Sequence, residues 1–209
     1  MNDHDFASKL AWSKGRNGSS DMETIKALIA GCTKVDEAPK ELDLRGIDYV
    51  ATLRKGATLN IDVKRREKGV SAHWKALPLL GIIAPEPELT LEYWSVVPMP
   101  RCPEGKVGWT LDESKLTDYV LYVFDRADSD EAFLLPFQLL RMTFRRHVST
   151  WRAHNKIGVC ESNGGTANGG WATESIFVPA WCVIEAIGAE MRRLLPSVSA
   201  RAGGQEVNP

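Results

Sequence analysis

Two carboxylates and one amine stand out by their spacing: Asp48, Asp62 and Lys64, in the run GIDYVATL, RKG, ATLNIDVKRRE that starts at Gly46. Two carboxylates held close together repel one another unless a cation lies between them. Hard oxygen donors, few in number and leaving room for water, suit magnesium. A cation so held stabilises charge on a phosphoryl oxygen and lowers the pKa of a bound water. An amine beside the pair orients or helps deprotonate that water, or offsets charge in a pentavalent transition state. The set fits phosphodiester hydrolysis better than acyl transfer or redox chemistry. Taken alone, an Asp-x-Lys on a strand is more often a surface ion pair, and Asp48 after Gly46-Ile47 also suits a turn residue at a strand start. The convergence of all three on one face is what favours chemistry.

That convergence depends on one β-hairpin. Leu59, Ile61 and Val63 point to one side, and Thr58, Asn60, Asp62 and Lys64 to the other. In the first half Tyr49, Ala51 and Leu53 alternate against Asp48, Val50 and Thr52. Arg54-Lys55-Gly56 makes a three-residue turn whose last place favours a left-handed residue, which glycine supplies. Leu53 then pairs with Ala57, and counting back sets Asp48 opposite Asp62, with Cβ atoms about 5 Å apart. Asp62 and Lys64 share a face by strand period alone, whereas Asp48 joins them only through this turn.

Upstream, Ser20 and Glu23 fit a capping box, with Ile25, Leu28, Ile29 and Cys32 at helical spacing facing a core. Residues 35–41 read as a polar connector. Downstream, Glu88 to Val97 alternates like a strand, with Leu89, Leu91 and Tyr93 against Thr90 and Glu92. PMPRCPEGKVGW is a Pro/Gly-rich loop, and YVLYVF (119–124) is apolar on both faces, as a central buried strand is. A helix is expected from Pro136, at its first position, to about His154. A Gly/Asn-rich loop (161–170), a strand WATESIFV and a helix from about Pro179 to Leu195 follow. The expected organisation is one α/β domain over 1–195, with its core at about 20–154 and a strand-helix extension at about 171–195. The small, polar tail 196–209 reads as disordered.

The 209 residues carry a net charge of −1, so a nucleic-acid partner requires Lys and Arg concentrated locally. Cys32, Cys102, Cys160 and Cys182 form no C-x-x-C pair, which points to free thiols in a reducing compartment. The N-terminal residues lack a secretory signature, and no apolar run reaches the roughly 20 residues of a bilayer span. A cytoplasmic protein with no membrane partner is the expectation.

A helix, then GID (46–48), then IDVK (61–64), then further strands and a helix resembles the PD-(D/E)XK nuclease superfamily, over about the first 125 residues. The resemblance implies a restriction-endonuclease-like fold, a mixed β-sheet flanked by helices. It also implies that Asp48 and Asp62 bind Mg²⁺ (with Mn²⁺ able to substitute) and that Lys64 assists the attacking water. DNA is the usual substrate of such proteins, and homodimers are frequent. Ile47 stands where the motif has proline. Many members add an acid from the first helix; both Asp21 and Glu23 qualify, Glu23 being explained by its cap and Asp21 lying one turn before Ile25. The alternative is the same fold kept as a non-catalytic scaffold for DNA or a protein partner.

Other groups have weaker claims. Arg65, Arg66 and Lys68 extend Lys64 into a basic run that would grip phosphates or simply be solvated. Trp74 would stack on a base or cover the core, and His73 reads as polar surface. Arg141, Arg145, Arg146, His147 and Arg152 read as the solvent face of a core helix. Glu92 is a candidate outer ligand and Gln138 a candidate polar helper, though ordinary surface or packing roles are commoner for both.

Overall fold

The computed structural model describes residues 18–66, 87–124, 131–162 and 170–195. Its elements run α1 (Gly18–Leu28), β1 (Cys32–Glu37), α2 (Lys40–Asp43), β2 (Tyr49–Leu53), β3 (Thr58–Arg66), β4 (Glu88–Val96), β5 (Lys106–Val107), β6 (Tyr119–Phe124), β7 (Glu131–Pro136), α3 (Phe137–His154), β8 (Lys156–Ser162), β9 (Trp171–Pro179) and α4 (Ala180–Leu194). The class is mixed α/β. A five-stranded sheet has the order β1-β2-β3-β6-β7, and a four-stranded sheet has the order β5-β4-β9-β8. In the first sheet β3 and β6 run parallel and every other neighbouring pair is antiparallel. The second is antiparallel throughout.

The period-2 patterns sort the larger sheet into two cores. On one face Tyr49, Ala51, Ile61, Leu121 and Val123 pack with Ile25 and Ile29 of α1. On the other, Val120, Tyr122, Phe124 and Leu135 join Leu89, Leu91, Ile176 and Val178 of the second sheet, together with side chains of α3 and α4. This is why β6 is apolar on both sides: it lies between β3 and β7 and feeds both cores. The larger sheet is thus covered by a helix on one face, and by strands as well as helices on the other. The expected mixed sheet with helices against it is present, and the second sheet is an addition to it.

Several boundaries differ from those read in the sequence. α1 begins at Gly18, which puts Ser20 inside the helix, where its carbonyl accepts from Thr24 Oγ1; the capping box does not form. Leu28 is exposed rather than inward, and Cys32 opens β1 instead of closing the helix. The segment expected as a connector supplies the end of β1 and the start of the short α2. Pro136 ends β7 and holds the N-cap position of α3, one place before the one expected. None of the four cysteines is disulfide-bonded. Among the described residues no helix is long and apolar enough to cross a membrane. Lys68, His73, Trp74 and the tail 196–209 lie outside the described residues.

Candidate active site

The hairpin has the register its turn implies. Tyr49 pairs with Ile61, Ala51 with Leu59 and Thr52 with Thr58. Leu53 N donates to the Ala57 carbonyl at 2.8 Å, and Gly56 takes φ +81°. Continued one step, the register sets Asp48 opposite Asp62, and Asp48 N donates to the Ile61 carbonyl at 2.9 Å. Asp48 Oδ2 in turn accepts from Val63 N at 2.6 Å, tying the carboxylate to the neighbouring strand.

Gly46 makes the approach to Asp48 passable. Its φ is +74°, and a Cβ there would lie 2.8 Å from side-chain atoms of both Lys115 and Thr117. Thr117 Oγ1 donates to the Gly46 carbonyl at 2.5 Å, and Leu116 N to the Arg45 carbonyl at 3.0 Å. Gly46→Ala combines a left-handed backbone with a clash and is expected to cost more than about 1 kcal/mol, read as a lowered denaturation midpoint.

The electrostatics follow from burial. Asp62 is 5% exposed, and its Oδ1 lies 2.6 Å from Nζ of Lys64, itself 31% exposed. Burial pushes the Asp48 carboxyl up to about 6; the Asp62 charge and a hydrogen bond to the Asp62 side chain add to this, against the Val63 N–H and Lys64. The two carboxyls therefore meet on one face. Burial alone would lower the Lys64 amine. The charge and hydrogen bond of Asp62, then Asp48 and Glu92, outweigh it and hold the amine above its ordinary value. At neutral pH Lys64 is a charged donor.

The charge of Glu92 reaches Lys64, which brings that residue to the site. Its Oε1 accepts from Ser95 Oγ at 2.8 Å and from Trp109 N at 3.2 Å. The Trp109 ring centroid is 5.4 Å from Lys64 Nζ, and the ring stacks on Phe137. Gly108 allows this approach, since a Cβ there would sit 2.2 Å from the Glu92 carbonyl oxygen. Nothing in the sequence placed Trp109 beside Lys64; the only signal was a Gly-Trp step closing a Pro/Gly-rich loop.

The first-helix acids are elsewhere. Asp21 forms an ion pair with Arg65, both nearly buried. Arg65 follows the period of Ile61 and Val63, so this pair lies on the face opposite to Asp62 and Lys64. After burial, the Asp21 charge is what pushes the adjacent Tyr49 hydroxyl up to about 12. Glu23 is exposed on the same helix. Neither acid completes the carboxylate pair, and Arg65 is not displayed to a phosphate. Asp21→Ala leaves a buried guanidinium without its carboxylate and is expected to cost about 3 kcal/mol in a chemical melt.

The other cations are also engaged. Arg66 donates to the Glu88 carbonyl at 2.9 Å and lies over the Phe177 ring. Arg141 is buried rather than on a solvent face. It donates to the Asp112 carbonyl at 2.9 Å and to Gln138 Oε1 at 2.5 Å. Arg145 pairs with Glu113, Arg146 with Glu190 and Arg152 with Glu174, while His147 stacks on Trp151.

Among the described residues no group of three or more His, Cys, Asp or Glu is arranged to hold a metal ion. The carboxylates that could serve as donors here are Asp48 and Asp62. Magnesium commonly binds through one or two carboxylates, with waters and substrate phosphates completing its shell. A pair whose mutual repulsion contributes to raising one member to about 6 is the kind of site a cation relieves. No protein-family model, curated protein or solved structure matches the chain.

Proposed function

We propose that the chain is a magnesium-dependent nuclease of the PD-(D/E)XK type, with a restriction-endonuclease-like core, that hydrolyses phosphodiester bonds of nucleic acid, DNA in the first instance. The observation that carries this reading is the meeting of the Asp48 and Asp62 carboxyls on one face, with the Lys64 ammonium 2.6 Å from Asp62. Asp48 and Asp62 would hold Mg²⁺, or Mn²⁺ in its place. When bound, the ion supplies a nucleophilic water and charge stabilisation at the phosphoryl oxygens. Lys64, kept charged by its neighbours, orients the water and offsets transition-state charge as a donor rather than a base. Glu92, held by Ser95, fixes Trp109 against the stem of the site.

The test is incubation of the purified protein with plasmid, branched and single-stranded DNA in Mg²⁺, Mn²⁺ or EDTA. Metal-dependent cutting that is lost in Asp62→Ala is the expected result. DNA binding without cutting, unchanged in Asp48→Ala and Lys64→Ala, would instead identify a non-catalytic scaffold.

A further inference from the structure

α4 carries two apolar stripes one residue apart. Ala180, Val183 and Ile187, with Glu190 at the same spacing, face inward. About 100° round the helix, Trp181, Ile184, Gly188 and Met191 recur at three- and four-residue steps, the spacing of a helix–helix seam, and Leu195 follows at the C-cap. Four of these side chains are open to solvent: Trp181 is 53% exposed, Ile184 43%, Met191 45% and Leu195 65%. Scattered exposed apolar residues are ordinary, but a continuous stripe of this size marks a contact surface.

Two further features say what fits it. Gly188 stands at the middle of the stripe, where a Cβ would meet only the Arg192 guanidinium, at 3.5 Å. A glycine inside a helix weakens it, and nothing in the packing of the described residues requires one there. Its effect is a notch that lets another helix come close. Glu185 and Arg192, seven residues apart, lie along one edge of the stripe, before and after the notch. Both are exposed, with no ion-pair partner among the described residues.

We propose that this stripe is the contact between two copies of the chain, with their α4 helices packed antiparallel about a two-fold axis. In that arrangement Met191 of each copy fills the notch at Gly188 of the other, and Ile184 meets Leu195. Glu185 comes within reach of Arg192 across the seam, twice by symmetry. A two-fold interface must be self-complementary in this way. The 14 residues after Leu195 offer only Val198 and Val207 as large apolar side chains, too few to cover the stripe.

Sedimentation of the full-length protein over a concentration series tests the arrangement without reference to catalysis. The wild type should dimerise, and Trp181→Glu and Ile184→Glu should be monomeric with unchanged circular dichroism. Gly188→Leu, whose Cβ meets only the flexible end of Arg192 in the single chain, should weaken the dimer by about tenfold. Glu185→Arg and Arg192→Glu should each weaken it, and the two together should restore it. A chain that stays monomeric throughout, as when residues 67–86 or an unrelated partner cover the stripe, overturns the proposal. So does a dimer indifferent to these changes or not rescued by the double reversal.

Discussion

Replacing Lys64 with methionine is expected to move cleavage and metal affinity in opposite directions. Cleavage at saturating Mg²⁺ should fall by about two to three orders of magnitude, the usual cost of losing one preorganised charge at a reacting centre. Affinity for the cation should rise by about tenfold, since charges 4 Å apart at an effective dielectric near 20 interact by about 4 kcal/mol, much of it screened here. The physical reason is competition. Nζ occupies Asp62 Oδ1 at 2.6 Å, so an incoming ion meets a like charge already seated on one of its two donors. Methionine keeps most of the stem's length and removes the charge, together with its contact to the Trp109 ring. Asp62 is then left buried without a cation, and the metal-free variant should lose about 3 kcal/mol, the lower end for a broken buried pair because Lys64 is partly exposed. Single-turnover cleavage gives the rate, and Mn²⁺ titration without DNA gives the affinity. If affinity falls together with rate, Lys64 acts by holding the acids in place, and the competition argument fails.

The hairpin was legible because its signals are local. A three-residue turn ending in glycine and a strict period of two determine which residues share a face, and the ladder from Tyr49–Ile61 to Thr52–Thr58 follows from them. The long helices were legible for the same reason: their apolar periodicity survives across 18 residues in α3 and 15 in α4. Period alone does not say which face a helix will cover. α1 packs on the Ile61 side, which carries Asp21 away from Asp62 and turns Arg65 inward, and no local feature distinguishes the two outcomes. β1 and β8 were missed because edge strands bury little and so carry weak alternation, as the exposed Thr33, Lys34 and Val159 illustrate. Trp109 reaches Lys64 through contacts between residues 45 positions apart, made possible by a glycine that admits no Cβ. Such a contact belongs to tertiary packing, where sequence period carries no information.

Asp48 should make the protein less stable as pH rises, and its replacement by asparagine should reverse this. The carboxyl titrates near 3.8 in an unfolded chain and at about 6 in the folded one. Between those values the folded chain holds a proton that the unfolded chain has released, so stability falls with rising pH across this window. Above 6 the full penalty applies, on the order of 3 kcal/mol for about two pKa units. Asp48→Asn keeps an acceptor for the Val63 N–H but cannot ionise. It should therefore melt higher than the wild type at pH 8, by about 2–4 °C for each kcal/mol in a chain of this size, with no advantage below pH 4. Magnesium acts on the same repulsion: it needs the ionised pair, so its affinity should drop as pH falls through 6. It should raise the melting temperature of the wild type at pH 8 and leave Asp48→Asn nearly unmoved, while cleavage is lost in that variant. Thermal melts at pH 4, 6 and 8, with and without Mg²⁺, decide the matter. Equal metal-induced shifts in both proteins would mean that Asp48 does not hold the ion. An asparagine variant no more stable at pH 8 than at pH 4 relative to wild type would mean that the Asp48 carboxyl is not held buried beside Asp62 in solution.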